Sequence, residues 1–356
     1  MERSLRRWCR GFLAALALLL AAAAATVYLC DPAFYYRLPP EGETVFFNER
    51  CQSAGLIRNV PADTVVLGTS LTNNMRKSSI ETAFGGRGLR IVLPDGYLSE
   101  FDQAVDAIFR CQSPERVVFG LDPNILIRDE SGLSGTMPGY LYDANPFNDL
   151  QYLLNKDMLY YSVYTRLAVG WGKAQTLDEG FTWQTGIWWN HMTALANYTR
   201  PDPADAPLPA DSFRENAAAN AAVIAAWARE HPETEFDVFF PPYSMLAWDR
   251  YQRQGKTEAV VSAMIQTCET LLPLDNVRIH ALALDRDIVE QLDNYADHVH
   301  YSPDTADTVL REIAAGTYEL TAETYLSALT DWQDFALHYD YEKYWDMHYW
   351  WQFHTN

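Results

Sequence analysis

Ser70, Asp297 and His300 are the residues whose types and spacing could do covalent chemistry. Ser70 closes the segment VVLGTS, an apolar run followed by glycine. That puts its hydroxyl at the carboxyl end of a strand, where open α/β sheets bind their ligands. A serine hydroxyl is inert at neutral pH until a base takes its proton, and the base needs a partner to fix its tautomer. NYADHVHYSP, residues 294–303, supplies both. Asp297 and His300 stand in D-x-x-H spacing in a loop, so the carboxylate can fold back onto imidazole Nδ1 and leave Nε2 to face Ser70. Ser302 as N-cap and Pro303 as first helical residue then open a helix. His298 is the rival base, but a sequence neighbour of Asp297 in an extended loop points away from it. Taken singly, the serine also reads as a tight turn capping a helix, and the Asp-His pair as exposed polar residues. Together they point to nucleophilic acyl chemistry.

The elements that must carry these residues alternate short β-branched runs with helical ones, an α/β pattern. Strands are expected at Thr64–Gly68, Leu89–Leu93, Arg116–Leu121, Phe236–Phe240 and Val277–Leu282, each a continuous apolar run of the kind buried on both faces of a parallel sheet. Helical spacing covers Ser99–Cys111 and Thr257–Leu272, and Ser212 with Glu215 reads as a capping box opening a helix that stops before Pro232. Residues 130–205, rich in Tyr, Trp and Asn, are too long for an ordinary loop and must hold structure of their own. From Trp332 to Phe353, Tyr339, Tyr341, Tyr344, Trp345, Tyr349, Trp350 and Trp351 crowd among acids. They read as a packing strap folded back on the domain, or as a sugar platform or membrane-partner contact.

Gly11 to Leu29 is nineteen residues without a formal charge, enough for a helix of roughly 28 Å that crosses a bilayer once. Arg3, Arg6, Arg7 and Arg10 precede it, which by the positive-inside rule keeps the N-terminus cytoplasmic and the main domain outside. The alanines Ala21–Ala25 leave a cleaved signal peptide as the alternative. The 356-residue chain carries 27 cations against 47 anions, a formal charge of −20. A nucleic-acid binder needs a basic footprint, and beyond the first decade no run of Lys or Arg offers one. By bulk electrostatics an acidic outer domain favours a neutral or zwitterionic acceptor over a polyanion. Five scattered cysteines allow at most one disulfide among Cys51, Cys111 and Cys268 and otherwise read as small buried hydrophobes. No Cys/His spacing suits a zinc site, and neither metal nor cofactor is expected.

In this order, with strand-end serine first and D-x-x-H before the last helix, the motifs resemble the SGNH (GDSL-type) hydrolase superfamily. VVLGTSLTNNM, PGYLYDANPFNDLQYLLN (138–155), FFPPYS (239–244) and NYADHVHYS are similar to segments of membrane-anchored bacterial SGNH-like proteins tied to acyl decoration of cell-surface polymers, comparable to alginate O-acetylation proteins. The likeness spans most of residues 45–316. It implies a three-layer, flavodoxin-like sandwich around a central, mostly parallel five-stranded sheet behind one transmembrane helix. It also implies Ser70 as nucleophile, His300 as base and Asp297 as the orienting carboxylate. The amides of Ser70 and of Gly96, in LPDGY, would form the oxyanion hole, with Asn124 as a further donor. Two positions depart from the pattern: Thr69 replaces the Asp of Gly-Asp-Ser, and Asp122 stands where an Asn should donate, with Asn124 two places late. The chain then divides into a basic cytoplasmic tail (1–10), a signal-anchor (11–29), a juxtamembrane lead (30–60), an SGNH-like domain (61–330) with an insertion at about 130–205, and an aromatic tail (331–356). The implied activity is an extracytoplasmic serine esterase or O-acyltransferase on a cell-envelope glycan or polymer. The alternative is a non-catalytic module that presents a glycan to a membrane-bound O-acyltransferase.

Overall fold

The β-branched and aromatic runs do form the sheet of the protein, which we describe from a computed structural model covering residues 2–134, 137–183 and 186–346. Helix α1 (Glu2–Cys30) leads into α2 (Glu49–Asn59), β1 (Thr64–Gly68), α3 (Lys77–Phe84), β2 (Gly88–Val92), α4 (Leu98–Cys111) and β3 (Arg116–Gly120). Four short helices and one long one follow: α5 (Pro123–Leu126), α6 (Gly139–Tyr142), α7 (Leu150–Leu153), α8 (Lys156–Gly170) and α9 (His191–Ala196). Then come α10 (Arg214–Glu230), β4 (Glu235–Phe239), α11 (Met245–Arg253), α12 (Thr257–Leu271), β5 (Val277–His280), α13 (Arg286–Val289), α14 (Pro303–Ala315), β6 (Glu319–Leu320) and α15 (Tyr325–His338). Helices α6 to α9 give residues 130–205 the internal structure that their length demands.

The strand order is β2-β1-β3-β4-β5-β6, with β1 to β5 parallel and β6 antiparallel to β5. The sheet is therefore mixed and six-stranded, not the five-stranded sheet the sequence led us to expect. Two residues of edge strand, Glu319 and Leu320, have no periodicity to betray them and are placed by pairing with His280 and Ile279. Order reverses between β1 and β3, and the crevice beyond the carboxyl ends of strands at such a switch point is the default ligand site of this architecture.

The strands are buried on both faces. On one, Phe119 meets Phe101 of α4 and Trp227 of α10 at ring centroid distances of 5.1 and 5.5 Å. On the other, Asp237 and His280 form a hydrogen-bonded pair at 2.9 Å, which Arg116 also reaches. Burial alone would raise the Asp237 carboxyl, but His280 and the two arginines Arg116 and Arg278 hold it below its ordinary value. His280, which belongs to no sequence motif, thus has a partner in the core.

Several local expectations change. Helix α10 begins at Arg214 after Phe213, and the Ser212 hydroxyl donates to Pro209 O, so the Ser212–Glu215 capping box does not form. All five cysteines are free, and Cys111 is exposed, not a buried hydrophobe. Trp332, Tyr341 and Tyr344 are buried against the domain, with Trp332 meeting Trp248 at 5.4 Å. That part of the tail is a packing strap. Tyr349, Trp350 and Trp351 lie outside the described residues.

Helix α1 is long and apolar enough to cross a membrane and is exposed along nearly all its length. Its exit is tied to the insertion through Asp31, whose carboxylate accepts from the amides of Tyr35, Tyr36 and Arg37 and from the Tyr152 hydroxyl.

Candidate active site

The turn that follows β1 is a single 3₁₀ turn, Ser70–Thr72, capped by Thr69. It folds tightly under the strand end because Gly68 has no side chain: a Cβ there would meet Thr72 Cγ2 at 2.5 Å. Ser70 is thereby held half-buried at the switch point. The partner loop is shaped by its own backbone. Tyr295 and Tyr301 form an isolated antiparallel bridge, Ala296 N–H donates to His300 O at 3.0 Å, and Ser302 caps α14 through Thr305 N–H.

Within that clip Asp297 and His300 come together as their spacing requires. Asp297 Oδ1 accepts from the amides of Val299 and His300, both at 2.8 Å, and Oδ2 bonds His300 Nδ1 at 2.6 Å. His300 Nε2 lies 2.9 Å from Ser70 Oγ, 230 residues away in sequence. Burial would raise the Asp297 carboxyl, but the His300 hydrogen bond and charge and the two amides outweigh it and hold the group below its ordinary value. An ionised carboxylate on Nδ1 keeps that nitrogen protonated and presents Nε2 to serine as acceptor.

Residues that sequence reasoning passed over hold this arrangement. Asn74 accepts from Trp183 N–H and donates to Tyr301 O, both at 3.0 Å, and the Trp183 ring lies 4.3 Å from the imidazole of His300. Asn197 donates to Ala296 O at 2.9 Å, and the Ser244 hydroxyl to His298 O at 2.8 Å. Ser244 belongs to FFPPYS, so three of the four segments that carried the family resemblance converge here. His298 faces elsewhere: burial, with Arg250 adding, lowers it below its ordinary value, and Nδ1 has no hydrogen-bond partner among the described residues.

The oxyanion donors expected from sequence fare differently. Gly96 N–H donates to Leu93 O at 2.9 Å and so is committed to its own turn. Asn124 is occupied by tyrosines, donating to Tyr243 Oη at 3.4 Å and accepting from Tyr251 at 3.2 Å. Ser70 N–H has no acceptor among the described residues and remains the available donor.

Thr69 and Asp122, the two departures from the family pattern, meet each other: the Thr69 hydroxyl donates to the buried Asp122 Oδ2. Burial drives the Asp122 carboxyl up, against the Thr69 hydrogen bond, nearby His300 and the Tyr243 hydroxyl, to about 6. Below the unfolded value of 3.8 both states are protonated; between 3.8 and about 6 the folded state holds the proton more tightly; above that, ionisation counts against the fold. Asp122→Asn therefore stabilises the protein at pH 8, by on the order of 3 kcal/mol at most, which raises Tm there, and the gain vanishes near pH 3.5. Thermal melts at the two pH values check this, and a pH-independent or negative change contradicts it.

Among solved structures, the chain is similar to one from Streptococcus pneumonia provisionally described as a platelet activating factor. Identity is 12% and the TM-score 0.36, over 80% of this chain and 92% of that one. No family model and no curated protein matches the sequence.

Proposed function

We propose that the protein is a membrane-anchored serine acyl hydrolase or O-acyltransferase of SGNH type, acting outside the cytoplasm on acyl groups of a cell-envelope glycan or polymer. The unbroken chain from Ser70 Oγ through both nitrogens of His300 to Asp297 carries this reading. Ser70 Oγ attacks the ester carbonyl while its proton passes to His300 Nε2. The tetrahedral oxyanion faces Ser70 N–H, and collapse expels the alcohol, which takes the proton back from the imidazolium. Water or a sugar hydroxyl then attacks the acyl-serine carbonyl with His300 accepting its proton, and the serine oxygen leaves, taking that proton from the imidazolium. The four arginines in the first turns of α1, ahead of its charge-free stretch, support a cytoplasmic N-terminus and an outer catalytic domain.

Full-length protein in detergent is expected to hydrolyse 4-nitrophenyl acetate, and Ser70→Ala to lower kcat/KM about 10⁴-fold or more. Equal turnover by both proteins refutes the assignment.

The occupied Gly96 amide and the buried Asp122 carboxyl support a second reading, a non-catalytic module that presents a glycan to a membrane-bound O-acyltransferase. Glycan binding unchanged in Ser70→Ala, with no turnover of small esters by the wild type, would favour it.

A further inference from the structure

A cavity of about 320 Å³ opens beside the Asp297–His300 loop, lined by Asn124, Arg128, Arg250, Tyr251, Lys256 and His298 among others. Not one lining residue is acidic, in a chain whose formal charge is −20. Arg250 and Lys256 are half-buried and make no hydrogen bond or ion pair with a described residue through their side chains. Four nearby acids have partners other than Arg250 and Lys256. Asp95 pairs with Arg128 at 2.7 Å, Asp249 is taken by Arg200 and Tyr198, Asp297 by His300 and Asp122 by Thr69. Asn124 and Tyr251 satisfy each other at 3.2 Å, while His298 Nδ1 stays unpartnered and buried. Two half-buried cations left without counter-charge, next to an unpartnered imidazole nitrogen, form a receptor for an oxyanion.

We infer that this cavity binds a phosphate or carboxylate carried by the substrate and so holds the acyl-bearing part of that substrate at Ser70. The inference rests on the acyl chemistry proposed above and deepens it. The acidity of the whole chain pointed to a neutral or zwitterionic acceptor; the charged residues that line this cavity are all cationic.

Calorimetric titration of full-length Ser70→Ala protein in detergent with glucose, glucose 6-phosphate and glucuronate reads the cavity without turnover. The anions are expected to bind and glucose to give no measurable heat; tighter glucose 6-phosphate assigns a phosphate-bearing substrate, tighter glucuronate a carboxylate-bearing one. Arg250→Gln with Lys256→Gln in that background weakens anion binding about tenfold or more. Arg250→Lys retains it, which separates lost charge from lost folding, and Arg229→Gln on the exposed face of α10 leaves it unchanged. Anions that bind no better than glucose, or that bind the double variant as well as the parent, overturn the inference. If anion binding fails while Ser70-dependent ester turnover persists, only this inference falls. If anion binding holds while Ser70→Ala leaves turnover intact, the acyl reading falls and the anion receptor stands.

Discussion

His300→Ala is expected to lower kcat/KM for 4-nitrophenyl acetate about 10⁴-fold or more, without loss of fold by circular dichroism. Among the described residues, His300 Nε2 is the only base placed on Ser70, at 2.9 Å. Without it the hydroxyl keeps its proton at neutral pH and the alkoxide population is negligible. His298 does not substitute, because its backbone carbonyl is pinned by Ser244 and its ring lines the neighbouring cavity. Added imidazole is expected to restore part of the lost rate by entering the vacated space beside Trp183. A variant that keeps activity within tenfold of wild type contradicts the assignment of His300.

Asp297→Asn is expected to cost about 10⁴-fold in kcat with little change in KM for a small ester. Asn is nearly isosteric, so the effect does not arise from lost volume. An amide NH₂ in place of Oδ2 requires Nδ1 to accept, which moves the ring proton to Nε2 and turns the base into a donor toward Ser70. Stability falls as well, with a pH dependence whose sign follows from the depressed carboxyl. Its contribution is fully present above the unfolded value of 3.8 and is lost as pH falls through the lower folded value. The Asn variant is therefore less stable than wild type at pH 7, and the gap narrows in acid. Rate measurements at pH 7 and melts at pH 7 and pH 3 check both statements; an unchanged kcat would contradict the orienting role.

Much of this site can be read before any coordinates exist, and the reasons are local. Parallel strands buried on both faces must be continuous apolar runs, so β1 to β5 announce themselves within a residue or two at each end. A D-x-x-H loop before a Ser-Pro helix start is a short-range pattern, and its geometry follows from Asx-type bonding of Asp297 to the amides two and three residues on. What stays hidden is long-range or two residues long. The Thr69–Asp122 contact joins positions 53 apart, and the Asp237–His280 pair joins positions 43 apart. The Asn74 bridge between Trp183 and Tyr301 reaches across more than 100 residues on either side. No periodicity encodes such pairs. Backbone commitments are hidden too: the Gly96 N–H bonds Leu93 O in a turn that only the backbone path reveals. Net charge is limited for the same reason. A sum over the whole chain says nothing about one cavity whose lining residues include Arg128, Arg250 and Lys256 and no acid.

The central claim is that Ser70 is the nucleophile, and covalent labelling tests it most directly. Full-length protein in detergent is treated with a fluorophosphonate, digested, and the adduct located by mass spectrometry. The mass shift is expected on Ser70 alone, absent from Ser70→Ala, strongly slowed in His300→Ala, and unaffected in Cys268→Ala, whose thiol is buried. Wild-type protein that takes up no probe, or that carries it on another residue with Ser70→Ala labelled equally, would contradict it.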